Sequence, residues 1–420
     1  MGGARPRDGG IGGCDPRRGP PSDASGVGAG ASVSGRGAKR GPRCPRCGGV
    51  AAFKRCTPKT LISVVGDVTV PRRYHYCGRC RRGVVAMDAW AGLDATHLSP
   101  RGRRLVVLAG TDHSFDRASD RLWRMCGVRA SDQTVRRACQ SSGVQAKRYL
   151  EQSAAAAEPV KQAAGQVECS LDGAKVNTTE GWREIRAAVV CKRPPGRSAD
   201  LRHWDDRLLP WPSASWSWAG IADAPQVGEQ LHAMADRLAL GLGEHVSALA
   251  DGAAWIWKQF SQHLPEHEGV LDVYHLLEHL HATGRALHGE GEPARRWAEQ
   301  QRAALFRQGP RHYLLKQLLP LTRTHRREHP DAPAAQALRA LLSYLWSHRG
   351  RLRYRDRLRR GLPIGSGQVE GVCKNTLNAR LRKNSPRWRV ENADRMAALA
   401  CLHHSQQWDR FWNQHHRAAA

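Results

Sequence analysis

The chain has 420 residues, of which 66 are Lys or Arg and 38 are Asp or Glu, so that its formal net charge is +28 at pH 7. This length allows two or three domains with sizeable cores, and the strong positive charge favours a polyanionic partner. The sequence contains no uninterrupted apolar stretch long enough to span a bilayer and no secretory signal pattern, so we expect a soluble intracellular protein with no membrane partner.

Residues 1–40 consist mainly of Gly, Arg, Ser, Ala and Pro. A segment without large apolar side chains cannot bury enough surface to fold, so we expect a disordered basic leader. A flexible basic arm adds non-specific affinity for DNA, although a dispensable leader fits the composition equally well.

Two Cys-x-x-Cys pairs flank a stretch, residues 60–76, whose alternation is typical of hairpin strands. The four cysteines are Cys44, Cys47, Cys77 and Cys80. This arrangement predicts a zinc ribbon in residues 41–92, with a redox pair or unligated thiols as the alternative. Four thiolates leave no open coordination position, so this Zn²⁺ would be structural and not catalytic.

A helical pattern follows in residues 93–160, where apolar side chains recur at spacings of three and four. Gly127 opens a turn, and Ser131 can cap a helix that ends at residue 141. A further helix over residues 144–161 runs into an Ala-rich linker. We interpret the region as helix-turn-helix-like and DNA-binding, although any short helical hairpin with a polar turn looks similar.

Two apolar runs end in the same kind of Asp-Gly-Ala turn, one at Asp172 and one at Asp251. Carboxylates at the ends of neighbouring strands, joined by a third acid, form an oxygen-rich site for one or two Mg²⁺ or Mn²⁺ ions. Asp272 also ends a predicted strand and is an alternative second ligand, with His275 beside it as a substrate or structural contact. We prefer Asp251 because its turn repeats that of the first acid.

The order of predicted elements from residue 167 is strand, strand, strand, helix, strand, helix, strand. The third strand is expected near Trp216. This order resembles the ribonuclease H-like fold, so we predict an α+β multidomain protein whose α/β catalytic core begins with residues 165–292. Residues 293–358 are predicted to be a helical insertion, and residues 359–415 to contain the last catalytic helix and the C-terminal helices.

Glu370 is the predicted third acid. The Gly-Ser-Gly at residues 365–367 favours a tight turn, and a helix is expected to begin at Gln368. The apolar positions with roughly helical spacing are Val369, Val372, Leu377 and Leu381. Glu370 then lies in the first helical turn, where the helix dipole favours the ionised form that a metal site needs. The plainer alternative is a capped surface helix whose acid complements the dipole.

Basic and aromatic residues in two stretches are candidates for DNA contacts, because Lys and Arg hold phosphates and aromatic rings stack on bases. One group lies on the second predicted helix of the hairpin and the other follows Glu370. The candidates are Arg136, Arg137, Lys374, Arg380, Arg382, Lys383, Arg387 and Trp388.

Several short segments occur in an order that is more specific than any one of them. They are Cys44-Pro-Arg-Cys47 with Cys77-Gly-Arg-Cys80, Ser170-Leu-Asp-Gly-Ala174 with Gly181-Trp-Arg-Glu184, Ala250-Asp-Gly-Ala253, Leu271-Asp-Val-Tyr-His275, Pro363-Ile-Gly-Ser-Gly-Gln-Val-Glu-Gly371, Arg387-Trp-Arg389 and Trp408-Asp-Arg-Phe-Trp412. With these segments the chain resembles the insertion-sequence transposases of the ISKra type, which are bacterial DDE enzymes. The likeness covers roughly residues 44–412.

The resemblance implies a transposase that binds double-stranded DNA at terminal inverted repeats, cleaves it and transfers the freed 3′-hydroxyl to target DNA. It implies two Mg²⁺ or Mn²⁺ ions at Asp172, Asp251 and Glu370, with Asp172 bridging both ions. A homodimer or higher oligomer in the bacterial cytoplasm, associated with the nucleoid, would bring two ends together. The alternatives are a DNA-binding regulator and a ribonuclease H-like nuclease without transposition activity.

Overall fold

The computed structural model describes residues 41–91, 93, 97–241, 245–264, 266–383 and 386–419. The chain divides into two compact units, Met1–Ala109 with Asp116–Val135 and Asn413–Ala420, and Gly110–Phe115 with Arg136–Trp412. The predicted disordered leader, residues 1–40, lies outside the described residues. The architecture is α+β, with two separate sheets and many helices.

The strands are β1 (Ala52–Ser63), β2 (Gly66–Cys77), β3 (Arg82–Val84), β4 (Gln166–Thr178), β5 (Gly181–Arg193), β6 (Ala214–Gly220), β7 (Val246–Ala250) and β8 (His267–Leu271). The first sheet has the order β1-β2-β3 and is antiparallel. The second has the order β6-β5-β4-β7-β8. It is mixed, because β4, β5 and β6 are antiparallel while β7 runs parallel to β4 and β8 parallel to β7.

The α-helices are α1 (Ala86–Trp90), α2 (Pro100–Asp112), α3 (Phe115–Cys126), α4 (Asp132–Gln152), α5 (Ala154–Gln162), α6 (Ala224–Leu238), α7 (Ala254–His263), α8 (Val273–His288), α9 (Glu292–Gln308), α10 (Pro310–Tyr313), α11 (Leu319–Glu328), α12 (Pro333–Ser347), α13 (Tyr354–Arg359), α14 (Gly367–Gly371), α15 (Val390–His404) and α16 (Trp408–Ala419). Arg349–Arg351 form a 3₁₀ turn. Leu314–Leu318 and Val372–Arg382 are π-helical. We call Val372–Arg382 the wide helix, because its backbone hydrogen bonds reach five residues back, as in the bond from Lys383 N to Asn378 O at 3.1 Å.

In the first unit, the predicted hairpin is present as β1 and β2, and both strands extend beyond residues 60–76. The turn after α3 has Gly127 at a φ of +65°. The side chain of Ser131 accepts a hydrogen bond from the backbone N–H of Thr134 at 3.2 Å, at the start of α4. The predicted cap and helix start are therefore confirmed.

The predicted end of that helix at residue 141 is wrong, because α4 continues to Gln152. Gly143 does not break the helix. It permits a close approach, since a Cβ on Gly143 would lie 2.7 Å from the carbonyl oxygen of Arg395. The expected helix over residues 144–161 is instead divided at Ser153, whose side chain accepts from Ala155 N and begins α5.

The core of the second unit surrounds the mixed sheet. All five residues of β7 are buried, and Trp216 on β6 is fully buried. Helix α15 packs against β6, α6 against β5, and the wide helix against β4. The predicted succession of strands and helices is present, including the strand at Trp216 and the helices α9 and α12.

Candidate functional site

The four predicted cysteines form a compact cluster in the first unit. The Sγ atoms of Cys44, Cys47, Cys77 and Cys80 all lie within 4.8 Å of one another. A tetrahedral Zn²⁺ with Zn–S bonds of 2.3 Å needs sulfur atoms about 3.8 Å apart. The donor set therefore fits zinc, and the cluster can hold a structural ion.

Electrostatics in the cysteine cluster favour a bound cation. Backbone N–H groups of Arg46 and Cys47 lower the pKa of Cys44 to about 7. The pKa of Cys80 is raised to about 12, first by its hydrogen bond with Cys47 and also by burial. Four thiolates at this spacing repel one another, so a cation is needed for all of them to ionise together.

The second unit brings two of the predicted acids to one cavity of about 720 Å³. Asp172 lies on β4 and Asp251 follows the last residue of β7, and these neighbouring strands run parallel. Because the two strands run parallel and Ser170 pairs with Leu249, both carboxylates lie just beyond the paired stretch, although the two acids are 79 positions apart in sequence. The cavity is lined by Asp172, Gly173, Ala174, Lys175, Trp182, Glu184, Arg186, Asp251, Trp255, Ile256, Cys373, Lys374, Asn378 and Arg382.

Glu370 adjoins this cavity on α14. Lys374, which lines the cavity, donates a hydrogen bond to Glu370 Oε2 at 2.7 Å. Ser366 Oγ lies 3.3 Å from Glu370 Oε1. Glu370 lies in the first turn of its helix, as predicted. A lysine ammonium thus neutralises this carboxylate, and Glu370 in turn raises the pKa of Lys374.

The three acids interact through their charges. The pKa of Asp172 is raised above its usual value, mainly because burial disfavours the ionised carboxylate, and the negative charges of Asp251 and Glu370 raise it further. Hydrogen bonds from the Gly173 N–H, at 2.7 Å, and from the Cys373 thiol act in the opposite direction. A divalent cation at this place would offset the cost of ionising the buried Asp172 carboxylate.

The donor set of the acids fits a hard cation such as Mg²⁺ or Mn²⁺, because all three offer carboxylate oxygens. In the described part of the chain, the cysteine cluster is the one group of three or more potential ligands whose donor atoms all lie within 4.8 Å of one another, so the three acids do not form so compact a set.

Asp272 has a different environment. Its side chain is fully buried. Its Oδ1 accepts from the backbone N–H groups of Tyr274, at 2.7 Å, and His275, at 3.1 Å. Its Oδ2 accepts from the backbone N–H and the hydroxyl of Ser366. His275 is partly exposed, and its Nδ1 lies 3.4 Å from Glu278 Oε2.

The predicted DNA contacts divide into two groups. Exposed side chains belong to Arg136, Arg137, Lys374, Arg382, Lys383 and Arg387. Arg380 is 7% exposed, donates to Gly110 O at 2.9 Å and stacks on the rings of Phe115 and Trp388. Trp388 is 8% exposed and donates to Leu381 O at 3.1 Å. Arg380 and Trp388 are therefore interior packing residues, which corrects their assignment to a DNA-binding surface.

Several cavity residues were missed from the sequence. Trp182, Glu184 and Arg186 alternate on β5 and share one face, so the two-residue period was the available signal. Cys373 and Asn378 belong to the wide helix. The buried apolar positions there, Val372 and Leu377, are five residues apart, a spacing that departs from an α-helix and was the signal for the wider turn.

No protein-family model matches the chain, and no curated protein matches it. Among solved structures, the chain is similar to the Drosophila P element transposase strand transfer complex, with 11% sequence identity, coverage of 75% of this chain and 80% of that chain, and a TM-score of 0.27. In the described residues, no helix is both long enough and apolar enough to cross a bilayer.

Proposed function

We propose that this protein is a DNA transposase of the DDE type, encoded by an insertion sequence related to the ISKra type. It binds the terminal inverted repeats of its element and catalyses metal-dependent DNA strand cleavage and strand transfer. The observation that carries this proposal is the meeting of Asp172 and Asp251 at one cavity, with Glu370 close enough to raise the pKa of Asp172.

The topology of the mixed sheet supports the proposal. Three antiparallel strands followed by two parallel ones, in the order β6-β5-β4-β7-β8, match the succession expected of a ribonuclease H-like core. The three acids come from the first strand of that sheet, the end of its fourth strand and a helix beside it. This distribution agrees with the distribution of metal ligands that the resemblance implies.

Asp172, Asp251 and Glu370 would hold the two divalent ions. When bound, such ions activate an attacking oxygen and stabilise the charge that develops on the phosphate in an in-line displacement. The protein's own part is to position the three carboxylates and the DNA. The Gly173 N–H and the Cys373 thiol orient Asp172 by hydrogen bonds, and the exposed ammonium of Lys374 can contact a phosphate.

We assign double-stranded DNA as the partner because the chain carries a net charge of +28 and exposes basic side chains around the cavity and on α4. The exposed candidates that remain are Arg136, Arg137, Lys374, Arg382, Lys383 and Arg387. The first unit, which contains the cysteine cluster, would contribute to recognition of the terminal repeat. A homodimer or higher oligomer on DNA is part of the proposal, since transposition joins two ends.

The test is cleavage of a plasmid that carries the coding region with its genomic flanks, in Mg²⁺ or Mn²⁺. We compare the intact protein with Asp172→Asn, Glu370→Gln and Glu184→Gln. Glu184 is a matched control, because it lines the same cavity but pairs with Arg186. We expect nicks at the element boundaries that require metal, persist in Glu184→Gln and disappear in the other two variants.

The same experiment separates the alternatives. Specific binding of the flanks without cleavage by the intact protein would leave a DNA-binding regulator. Metal-dependent cleavage without joining of 3′ ends to a target would leave a nuclease. Loss of cleavage in Glu184→Gln with activity retained in Glu370→Gln would reassign the third acid.

A further inference from the structure

The segment Gly181-Trp-Arg-Glu184 has no role in the proposed metal chemistry, yet it forms part of the cavity wall. Trp182 and Glu184 both line the cavity that contains Asp172 and Asp251. Trp182 is 60% exposed, although a tryptophan ring is among the largest apolar surfaces a protein can bury. An exposed tryptophan inside a cavity therefore requires an explanation other than packing.

The surroundings of Trp182 suit a nucleotide. The guanidinium of Arg382 lies 5.8 Å from the centre of the Trp182 ring, and Lys175 lines the same cavity. A flat aromatic face beside exposed cations is the combination with which proteins bind single-stranded nucleic acid, since the ring stacks on a base and the cations attract the backbone.

The position of Trp182 is fixed by backbone contacts. Trp182 follows the turn that joins β4 to β5. Next to this turn, Thr179 N donates to Trp388 O at 2.8 Å and Trp388 N donates to Asn177 O at 3.0 Å. The hairpin end is thus held against the chain that follows the wide helix, on which Arg382 lies. The backbone at the hairpin end is therefore held in place, and the guanidinium of Arg382 lies beside the Trp182 ring.

The register of the sheet gives the distance from the acids. Trp182 pairs with Asn177, and Asn177 is five residues from Asp172 along β4. At about 3.3 Å per residue this corresponds to about 16 Å. DNA advances about 3.4 Å per nucleotide in a duplex strand, so the base at Trp182 would lie at most about five nucleotides from the phosphate at the acids.

A second ring lies closer to the acids. Trp255 lines the cavity, and one of its ring carbons would lie 4.0 Å from a Cβ on Gly173, the residue after Asp172. The guanidinium of Arg186 lies 4.9 Å from the centre of this ring. Two tryptophans of the cavity lining, Trp255 on α7 and Trp182 on β5, therefore each have an arginine beside the ring.

We propose that Trp182 and Arg382 form a stacking site for an unpaired base of the DNA strand that is cleaved at the acids. The ligand class is a nucleotide in single-stranded or frayed DNA, up to about five positions from the cleaved phosphate. This inference rests on the proposed function, because it assumes that the acids bind a DNA phosphate.

The experiment is an abasic scan. Oligonucleotides that contain the element end carry one abasic nucleotide at each of the five positions on either side of the cleaved phosphate. Binding is measured without divalent metal for the intact protein and for Trp182→Ala, Trp182→Phe and Trp211→Ala. Trp211 is the matched control, because it is 88% exposed and does not belong to the cavity lining.

We expect one abasic position to weaken binding by the intact protein about tenfold. Trp182→Ala should bind the unmodified DNA about tenfold more weakly and lose its sensitivity to that abasic position, whereas Trp182→Phe should keep part of it. Trp211→Ala should behave as the intact protein does.

Equal sensitivity of Trp182→Ala and the intact protein at every position would overturn the stacking site, and so would a scan in which no position affects the intact protein. Cleavage in Mg²⁺ is measured in parallel. If the protein cleaves DNA but Trp182→Ala has no effect on the abasic scan, the stacking site is wrong and the proposed function stands. If the abasic effect depends on Trp182 but no cleavage occurs, the proposed catalytic function is wrong and the stacking site stands.

Discussion

Asp251 and Asp272 each follow a strand of the same sheet, one after β7 and the other after β8, but their carboxylates have opposite environments. Asp251 is partly exposed in a cavity, where its Oδ1 accepts a hydrogen bond from Ala253 N at 2.9 Å. Asp272 is fully buried, and its two oxygens accept four hydrogen bonds. A carboxylate whose lone pairs are already used inside the protein is a poor ligand for a metal ion.

Asp272 instead connects the two segments that carry the other acids. Its backbone N–H donates to Ala250 O at 2.7 Å, immediately before Asp251. Its side chain holds Ser366, four residues before Glu370. We therefore propose Asp251 as the second metal ligand and Asp272 as a residue that positions the site. Both residues follow a strand in sequence, and only their hydrogen bonds differ.

The largest expected difference between the two positions is in activity. In Asp251→Asn the amide oxygen can still accept from Ala253 N, but the negative charge that a divalent ion needs is lost. We expect DNA cleavage to fall by about 10³-fold or more, as when a metal-site group is removed from an active site, with a free energy of unfolding within about 0.5 kcal/mol of the intact protein. Cleavage assays and thermal unfolding measure the two effects. Retention of cleavage would exclude Asp251 as a ligand.

The same substitution at Asp272 should act mainly on stability. An asparagine cannot accept at both side-chain positions, so its NH₂ group would face either the donors of Ser366 or the N–H groups that begin α8. A buried donor left without an acceptor costs about 1–3 kcal/mol, and we expect a loss of about 3 kcal/mol in urea unfolding. Unchanged stability in Asp272→Asn with abolished cleavage would return Asp272 to the list of metal ligands.

Substitution of Gly252, which follows Asp251, and of Gly365, which packs against Asp272, should give a smaller difference in stability. A Cβ on Gly252 would lie 2.2 Å from Cε2 of Tyr344, whose ring stacks on His279 with their centres 3.9 Å apart. A Cβ on Gly365 would lie 3.2 Å from Asp272 Oδ2, a milder contact. We expect Gly252→Ala to cost about 2 kcal/mol through overpacking, and Gly365→Ala about half of that. Chemical denaturation measures both, and Gly252→Ala should cost less in a Tyr344→Ala background, where the ring is absent.

The smallest effect concerns the pH dependence at Asp172. Its pKa is raised in the folded protein, chiefly by burial, so the folded state holds a proton that the unfolded state has already released. Stability from this group is present at low pH and is lost as pH rises from the usual carboxyl pKa through the raised one. Without metal at pH 7, Asp172→Asn should therefore raise Tm, by about 2 °C. A lower Tm would contradict the raised pKa.

The sequence was sufficient where the signal is local. The Cys-x-x-Cys pairs and the hairpin between them lie where their motifs indicate. The turn predicted at Asp172 is wrong, because β4 continues through Asp172 to Thr178 and pairs with β5 over that length. The sequence was insufficient where a side chain's hydrogen-bond partner lies far away along the chain. Asp272 depends on Ser366, 94 residues away, and the burial of Arg380 depends on Gly110, 270 residues away. No local sequence pattern indicates such long-range hydrogen bonds. The buried Arg380 was therefore interpreted as a DNA contact.

The wide helix limits how the chain can change in length. Cys373 and Asn378 are five residues apart and both line the cavity. In an α-helix, with about 100° per residue, positions five apart would point about 140° away from each other. Each wide turn takes up one residue more than an α-helical turn does. Deleting one residue between Cys373 and Asn378 would allow an ordinary α-helix, but it would move either the cavity side chains or the buried apolar ones out of place, so this stretch should tolerate substitutions far better than deletions.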